Sequence, residues 1–372
     1  MKNTLNLRRK KIVKTEEKMK KNVLVIFGGD SNEYYVSCKS AADVLENIDN
    51  MLFNVFALGI TLDGQWILTG ASVDEIRDGH LWIKNVNNRR AIISPERNSG
   101  IIIFDKEKVV SIYLDCVFPL IHGYSGEDGK LQGLLELAGV DYVGSGVCAS
   151  ANSMDKSVTG VFADLCNIKR PTCKIVSEND FKGNGTTKIE QFNLKYPVFV
   201  KPANAGSSIG VSRVDDDMKI ESAMKEAFLY DDKILIEQGI TGKEIKVAIL
   251  EDSKEQKLII GELCEITVPN GEMNDYDTKY VNHSSVKKIP ANIDNKKAEI
   301  IKKQAIKIFR ELGCSGFARV DFFLDEEGEV YFNEINTIPG IGKNSIYSLM
   351  FDKVGISFTE LLTKLINSSF TN

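Results

Sequence analysis

Charged side chains near the C-terminus recur on two short apolar runs that can pair with each other. The runs Phe317 to Leu324 and Glu329 to Glu334 flank an Asp-Glu-Glu-Gly turn, which predicts a β-hairpin with Arg319 opposite Glu334. Because side chains alternate along a strand, Arg319, Asp321 and Glu334 should share one face. That face would carry two carboxylates beside a guanidinium.

Asn336 lies two residues beyond Glu334, so its amide should point the same way if the chain stays extended. Two carboxylates and an amide suit Mg²⁺, which takes few protein carboxylates and completes its shell with phosphate oxygens and water. The alternative is a surface ion-pair cluster of little energetic value. Both runs have apolar residues on both faces, however, and charges on a covered hairpin need a reason. The spacing therefore favours a metal site for a nucleotide.

A second segment has the composition of a phosphate-binding loop. Lys201 to Gly210 (KPANAGSSIG) follows the strand-like run Pro197 to Val200 and combines a lysine with small residues. Small residues let backbone N–H groups approach phosphate oxygens, and the lysine adds charge. The segment lacks the Gly-Lys-Ser/Thr ending of a Walker A motif, and a plain loop is the alternative. The hairpin and this loop together favour nucleotide binding more than either does alone.

Other polar residues follow predicted strands. Ile234 to Glu237 and the later Glu244 fit adenine contacts and a carboxylate for a ribose, or alternatively an edge strand with surface charge. Gly28 to Glu33 ends the first strand and His122 follows another, at strand ends where ligand sites cluster. The glycines do not form GxGxxG, which disfavours a Rossmann dinucleotide site. A lone histidine is more often structural than catalytic.

The elements that must position these residues form an α/β pattern. Val23 to Phe27 predicts a buried strand, a helix follows through Leu45, and Phe53 to Ile60 predicts the next strand. This alternation predicts an α/β fold with a largely parallel N-terminal sheet. Further along, Leu258 to Ile266 predicts a strand, and Asn270 to Ser285 predicts a mobile polar loop. The expected divisions are a disordered basic leader at 1–21, an N-terminal α/β domain at 22–146, a central subdomain at 147–239 and a C-terminal catalytic domain at 240–372.

The composition of the chain limits the classes of partner and cofactor that it is expected to bind. The 372 residues are 43% hydrophobic and 27% charged, which is typical of a globular protein with two or three domains. A net charge of -5 gives no reason to expect nucleic acid or an anionic membrane as partner. Seven cysteines without a CxxC pair, with only three histidines, indicate reduced thiols and disfavour zinc. No apolar run reaches transmembrane length and no secretory signal begins the chain, so we expect a cytoplasmic protein.

Several segments, taken in order, resemble the D-alanine–D-alanine ligase family, which includes D-Ala–D-Ser and D-Ala–D-lactate relatives. The resemblance extends over nearly the whole chain from Asn22 onward. The segments that carry it are Gly28 to Ser40 (GGDSNEYYVSCKS), Phe118 to Glu136 (FPLIHGYSGEDGKLQGLLE), Met154 to Lys156 (MDK), Lys201 to Gly210, Asp275 to Tyr280 (DYDTKY) and Gly316 to Gly340 (GFARVDFFLDEEGEVYFNEINTIPG).

The resemblance implies an ATP-grasp fold, with the N-terminal domain followed by a two-lobed nucleotide-binding region. It implies that the carboxylate of D-alanine attacks the γ-phosphate of ATP and that a second D-amino acid then attacks the acyl phosphate. Glu33 would hold the first ammonium, and Ser207 and Tyr280 would link to it as the loop closes. Arg319 and the N–H of Gly340 would stabilise the oxyanion.

The remaining roles implied by the resemblance are binding roles. The residues expected to contact the amino-acid substrates are Val36, His122, Asn336, Ser345 and Ile346. Those expected to bind ATP are Lys156, Lys201, Ser208, Glu237, Glu244 and Lys279. Asp321, Glu334 and Asn336 would bind two Mg²⁺ ions, which Mn²⁺ can replace. A homodimer is also expected.

One segment departs from the family pattern. Ile341 to Ser348 (IGKNSIYS) has Asn344 where many members have histidine, and it ends in a serine where they have proline. Because this segment borders the acceptor site, the second substrate stays open between D-alanine and D-serine. The pattern of Lys279-Tyr280 with Ser284-Ser285 and Ile289-Pro290-Ala291 resembles the D-Ala–D-Ser (VanG-like) branch. Ile346, in contrast, resembles D-Ala–D-Ala enzymes. The D-lactate branch has a histidine in place of the Lys-Tyr pair, which argues against lactate.

Three functions therefore compete. The first is a D-Ala–D-Ala ligase of peptidoglycan synthesis, with a D-Ala–D-Ser ligase of a glycopeptide (vancomycin) resistance pathway as its alternative. The second is another ATP-grasp enzyme, which would share the hairpin but not the context of Glu33, His122 and Tyr280. The third is a non-catalytic ATP-binding regulator, which would not be expected to retain Arg319 and the three metal-binding residues.

Overall fold

A computed structural model of the chain describes residues 20–106, 108–181, 189–267 and 286–371. Within these ranges the chain forms three β-sheets, each built from its own stretch of sequence. All seven cysteines lie in these ranges and have free thiols. None of the helices found here is long and apolar enough to cross a membrane.

The N-terminal sheet has seven strands, and the side chains of Val23 to Phe27 on its first strand are fully buried. The strands are β1 (Lys21–Gly28), β2 (Phe53–Ile60), β3 (Trp66–Thr69), β4 (Arg89–Ile93), β5 (Ile101–Asp105), β6 (Lys108–Ile112) and β7 (Cys116–Pro119). Their order across the sheet is β6-β5-β4-β3-β2-β1-β7. The helices of this region are α1 (Tyr34–Asn47), α2 (Val73–Asp78) and α3 (Lys130–Ala138).

This sheet is mixed, so the expectation of a largely parallel sheet was wrong for most of its pairs. Among the named strands of the described residues, parallel pairing is confined to β1, with β2 on one side and β7 on the other. The pairs from β2 to β6 are antiparallel. A tight turn with Gly64 at φ 80° joins β2 to β3, and such turns connect antiparallel rather than parallel neighbours. The α/β fold class itself is confirmed.

The central sheet has four antiparallel strands in the order β10-β9-β11-β8. It places the predicted glycine-rich loop directly after β9. The elements of this region are α4 (Val147–Met154), α5 (Lys156–Leu165), β8 (Cys173–Ser177), α6 (Glu178–Phe181), β9 (Val198–Pro202), β10 (Ser212–Val214), α7 (Asp217–Ala227) and β11 (Lys233–Gln238).

The third sheet has six strands, with β12 and β16 at its centre. The predicted strand at 258–266 is two strands, which pair with different parts of β12. The elements are β12 (Gly242–Asp252), β13 (Lys257–Ile260), β14 (Cys264–Thr267), β15 (Val286–Lys288), α8 (Asn295–Glu311), β16 (Phe317–Asp325), β17 (Val330–Asn336), α9 (Ile346–Asp352) and α10 (Phe358–Ser368). All of the predicted mobile loop, Asn270 to Ser285, lies outside the described residues.

The predicted hairpin of β16 and β17 is present, but its register differs from the expectation. Arg319 lies opposite Asn336, and Asp321 lies opposite Glu334. A three-residue loop with Gly328 at φ 81° shifts the register by one residue, and a bulge between Asp321 and Phe322 shifts it once more. Two shifts of one residue restore the original alternation. The predicted polar side chains therefore still share a face.

A shared core fixes the N-terminal domain against the third sheet. Phe118 on β7 contacts Phe317 on β16 with ring centroids 6.5 Å apart, and Phe317 contacts Tyr347 on α9 at 5.8 Å. The same apolar cluster includes buried residues of α1 and α10. The loops at the ends of β1 and β7 are therefore held beside the hairpin. The division of the chain at residues 146 and 239 remains a prediction.

Candidate active site

A cavity of about 180 Å³ lies where the ends of β1 and β7, the glycine-rich loop and the hairpin meet. It collects side chains that are far apart in the sequence. The predicted residues that line it are Glu33, Val36, His122, Lys156, Ser207, Arg319, Glu334, Asn336, Gly340 and Ile346.

The hairpin contributes a network of paired charges to this cavity. The Asp321 carboxylate is completely buried and accepts two hydrogen bonds of 2.8 Å from the Arg319 guanidinium. Its Oδ2 atom also accepts a hydrogen bond of 2.7 Å from Lys246 Nζ. Burial lowers the pKa of Arg319, but the adjacent Asp321 outweighs it, so the pKa is raised. The Arg319 guanidinium therefore stays charged.

Lys246 was not predicted, although it lies on the same face of β12 as Glu244. Its ammonium is buried and donates a hydrogen bond of 2.6 Å to Glu244 Oε1. Burial lowers the pKa of Lys246, and Asp321 and Glu244 raise it by more. The spacing of two residues along a strand is a signal that could have revealed it.

The other end of this network is Glu334. Its carboxylate lies 3.6 Å from Lys156 Nζ and 4.0 Å from Arg319 Nη2. Asn336 Nδ2 donates to Glu334 Oε1 at 3.5 Å. Lys156 Nζ also donates to the carbonyl of Ala205 at 2.8 Å, which ties the start of α5 to the glycine-rich loop.

The donor set fits a divalent cation of the Mg²⁺ type. Among the residues that the structure describes, no three His, Cys, Asp or Glu side chains form a metal cluster. Asp321, Glu334 and Asn336 offer oxygen atoms as metal ligands, and Glu334 and Asn336 line the cavity. Mg²⁺ keeps waters and phosphate oxygens in its shell, so few protein ligands are sufficient.

Loops rather than strands hold Glu33. Ser207 Oγ donates a hydrogen bond to Glu33 Oε1. Glycines flank the carboxylate: a Cβ atom at Gly123 would lie 2.8 Å from Oε2, and one at Gly206 would lie 3.1 Å from it. Ser207 itself has a left-handed backbone with φ 49°. The close approach of two loops therefore places this carboxylate in the cavity.

His122 connects the two sides of the cavity. Its Nδ1 atom lies 3.0 Å from the carbonyl oxygen of Ile338, which can only accept, so Nδ1 carries the proton. Its Nε2 atom lies 3.2 Å from Ser40 Oγ. Burial lowers the pKa of His122, but interaction with Glu127 and the charge of Glu33 outweigh burial and raise it above 6.5. Glu127 was missed by sequence reasoning; burial raises the pKa of its carboxyl.

Several predicted nucleotide-binding residues lie outside this cavity. Lys201 Nζ donates a hydrogen bond of 2.6 Å to Glu237 Oε1, and the two side chains project from neighbouring strands β9 and β11. Glu244 contacts the network through Lys246, from which its Oε1 atom accepts a hydrogen bond. Ser208 has a left-handed backbone with φ 60° and does not line the cavity.

The expected acceptor side is built from the segment before α9. Gly340 and Ile346 line the cavity, whereas Ser345 caps α9 by accepting from Ser348 N at 3.2 Å. Thr337 also lines the cavity, and its buried Oγ1 has no hydrogen-bond partner within the described ranges. Sequence reasoning gave no signal for Thr337.

Two predicted residues, Lys279 and Tyr280, lie outside the described residues. Their roles remain predictions, as does the closing of the loop that carries them.

Solved structures with the same fold define the class of protein. The VanG D-Ala:D-Ser ligase from Enterococcus faecalis has a TM-score of 0.83 and 37% identity, covering 94% of this chain and 100% of that one. The D-alanine–D-alanine ligase from Coxiella burnetii has a TM-score of 0.80 and 29% identity, covering 94% of each chain. The fold is that of the ATP-grasp ligases.

Sequence comparisons then define the family. The model described as D-ala D-ala ligase N-terminus matches residues 22–145, and the model described as D-ala D-ala ligase C-terminus matches residues 165–367. The D-alanine–D-alanine ligase of Acetivibrio thermocellus is 40% identical, covering 94% of this chain and 95% of that protein. D-alanine–D-alanine ligase B of Clostridium tetani is 38% identical, covering 97% of each. The chain belongs to the D-alanine–D-alanine ligase family, whose members use ATP and a divalent metal.

Proposed function

We propose that this chain joins two D-alanine molecules into the D-Ala–D-Ala dipeptide of peptidoglycan, with conversion of ATP to ADP and phosphate. One observation carries the proposal. A single cavity is lined by the Glu33 carboxylate, which suits an ammonium group, and by Lys156 and Arg319, which suit a transferred phosphate. A substrate with both an ammonium and a carboxylate matches that combination.

In the first step, D-alanine places its ammonium group on Glu33, which Ser207 holds in position. A carboxylate oxygen of D-alanine attacks the γ-phosphorus of ATP, and the bond from that phosphorus to the bridging oxygen of ADP breaks. Lys156 and Lys201 neutralise phosphate charge, together with Lys279. Ser208, Glu237 and Glu244 contact the nucleotide. Positioning and charge neutralisation are the main contributions of a protein to such a transfer.

In the second step, the amine of the acceptor attacks the acyl carbon, and the acyl C–O bond breaks as phosphate leaves. Arg319 and the backbone N–H of Gly340 stabilise the oxyanion that forms before that bond breaks. Val36 and His122 line the first subsite, and His122 also holds the carbonyl of Ile338, two residues before Gly340. Ser345 and Ile346 contact the acceptor. Tyr280 closes the loop over Ser207 and Glu33, which excludes water from the acyl phosphate.

Asp321, Glu334 and Asn336 would hold Mg²⁺, as two ions, with Mn²⁺ able to replace it. When bound, the metal neutralises charge on the phosphate oxygens. Asp321 is oriented for this by Arg319, which occupies both of its oxygens through a bidentate pair.

A second candidate function is ligation of D-alanine to D-serine. The structural likeness to the VanG D-Ala:D-Ser ligase, at a TM-score of 0.83, favours it. The unusual segment Ile341 to Ser348 borders the acceptor side and would select the second substrate.

Product analysis separates these functions. The full chain is supplied with ATP, Mg²⁺ and D-alanine, alone or with an equal concentration of D-serine or D-lactate, and the products are identified by mass. We expect phosphate release that depends on D-alanine, and D-Ala–D-Ala as the main product. Mainly D-Ala–D-Ser would replace the first function by the second. No turnover that depends on D-alanine would contradict both.

Three further expectations accompany this function. The predicted domain divisions place the nucleotide between the central and C-terminal regions. The chain forms a homodimer, which sedimentation velocity would test. The reaction takes place in the cytoplasm, where ATP is supplied, with small molecules as the only substrates.

A further inference from the structure

Six charged side chains form one continuous series of ion pairs across the cavity. Lys156 contacts Glu334, Glu334 contacts Arg319, and Arg319 contacts Asp321. Asp321 contacts Lys246, and Lys246 contacts Glu244. All five contacts are 4.0 Å or shorter, and we call this set the ion-pair series.

Within the series, three cations face three carboxylates, so their formal charges cancel without any metal. Asp321 is fully buried, and Lys246 is only 4% exposed. Electrostatic interactions between charges at such buried positions are strong, because water screens them little. A divalent cation that approaches Asp321 therefore meets a group whose charge is already balanced, and the two nearest cations repel it.

Lys246 can release its contact with Asp321 to a metal more readily than Arg319 can. Arg319 binds Asp321 through two parallel hydrogen bonds, which is a rigid geometry. Lys246 makes one contact with Asp321 and one with Glu244, on a flexible stem. Because Glu244 remains as its partner, Lys246 can release Asp321 without becoming an unpaired buried charge.

We propose that Lys246 occupies, in the nucleotide-free protein, the charge position that a divalent cation takes beside Asp321 in the nucleotide complex. Lys246 thereby makes metal binding depend on nucleotide, because only the phosphate charge compensates for the added cation. This inference rests on the metal site of the proposed function. It assigns Lys246 as a positioning residue, which acts on the metal through Asp321.

Direct titration with Mn²⁺ tests the inference without measuring turnover. Free Mn²⁺ is followed by electron paramagnetic resonance as the full chain is titrated, with and without saturating ADP. For the unchanged chain we expect weak binding of Mn²⁺ alone and binding at least tenfold tighter with ADP. For Lys246→Met, which removes the charge, we expect Mn²⁺ alone to bind at least tenfold more tightly than to the unchanged chain.

Matched variants separate charge from shape. Lys246→Arg keeps the charge and should bind Mn²⁺ alone as weakly as the unchanged chain. Lys246→Gln keeps a hydrogen-bond donor without the charge and should behave like Lys246→Met, which covers the case in which Met does not fold. Lys364→Met removes a lysine from a pair with Asp252, at the far end of β12, and should leave Mn²⁺ binding unchanged.

The outcomes distinguish this inference from the proposed function. If Asp321→Asn abolishes binding of Mn²⁺ with ADP while both neutral Lys246 variants bind Mn²⁺ alone no more tightly than the unchanged chain, the metal site stands and the role of Lys246 is refuted. If the unchanged chain binds Mn²⁺ equally with and without ADP, dependence on nucleotide is refuted. If Asp321→Asn has no effect, the metal site of the proposed function is itself contradicted.

Discussion

The cavity has a half carried by strands and a half carried by loops, and different forces hold the two. On β12, β16 and β17, each charge is fixed by an opposite charge, as Asp321 is by Arg319 and Lys246. On the loops, Glu33 is fixed by a hydroxyl and by the close approach of Gly123 and Gly206. The strand half therefore balances charge, whereas the loop half depends on shape.

This difference predicts different failures on substitution. In the strand half, removal of one partner leaves a buried charge, which costs about 3–5 kcal/mol and should affect both stability and the handling of phosphate. In the loop half, the Glu33 carboxylate can move without leaving another buried charge unpaired. Changes there should act on the binding of D-alanine and leave the nucleotide side intact.

The largest effect is expected for Asp321→Asn. It removes a buried negative charge from Arg319 and Lys246 and weakens the proposed metal site, so D-alanine-dependent phosphate release should fall on the order of 100-fold, as for loss of other transition-state electrostatics. Phosphate release and thermal unfolding should be measured together. Asp252→Asn breaks a comparable pair with Lys364 and is the control: it should lower stability but not the rate. A rate within threefold of normal would refute a role for Asp321.

A large and selective effect is expected for Gly123→Ala. The new Cβ would lie 2.8 Å from Glu33 Oε2, and overpacking of this kind costs about 1–3 kcal/mol, so the KM for D-alanine should rise at least tenfold. The KM for ATP should stay the same. Gly64→Ala is the matched control, because it has a similar left-handed backbone but no atom near its Cβ. Equal effects of the two variants would mean that backbone strain, rather than contact with Glu33, is responsible.

A smaller effect is expected for Ser207→Ala. The change removes one hydrogen bond to Glu33, worth about 1 kcal/mol, so the KM for D-alanine should rise roughly fivefold with the KM for ATP unchanged. Steady-state kinetics with each substrate varied would measure this. A parallel loss of ATP binding would show that the loop, rather than the carboxylate, was disturbed.

The smallest effect concerns pH. The pKa of His122 is raised in the folded chain above its ordinary value of 6.5, so its protonation stabilises the fold at low pH and is lost as pH rises through the folded pKa. The free energy of unfolding of the unchanged chain, minus that of His122→Gln, should therefore be largest below pH 6.5 and decline at higher pH. Urea titrations at several pH values would measure it. A difference that grows with pH would contradict this.

The strand half could be predicted from the sequence because side chains alternate along each strand, and because the two one-residue shifts of register cancel in their effect on the shared face. The exact partners of Arg319 could not be predicted, since a three-residue turn and a bulge are decided by local backbone geometry. Lys246 shared the face of Glu244 in the sequence, but its contact with Asp321 depends on the pairing of β12 with β16. The pairing between strands that are far apart in sequence is a tertiary outcome.

The residues of the loop half could be predicted only through the resemblance to a known family. Glu33 and Ser207 are 174 residues apart, and no periodicity connects them. The neighbours Glu127 and Thr337 were missed because their burial, rather than their spacing, makes them notable. The N-terminal sheet was predicted as parallel because a strand followed by a helix dominates its first segment, whereas its later strands pair antiparallel.

Transfer of a labelled oxygen tests the central claim most directly. D-Alanine labelled with ¹⁸O in its carboxylate is supplied to the full chain with ATP and Mg²⁺, and the released phosphate and the dipeptide are analysed by mass. Attack of the carboxylate on the γ-phosphorus predicts one ¹⁸O atom in each phosphate released with D-Ala–D-Ala. Unlabelled phosphate, or phosphate release without dipeptide, would contradict ligation through an acyl phosphate in this cavity.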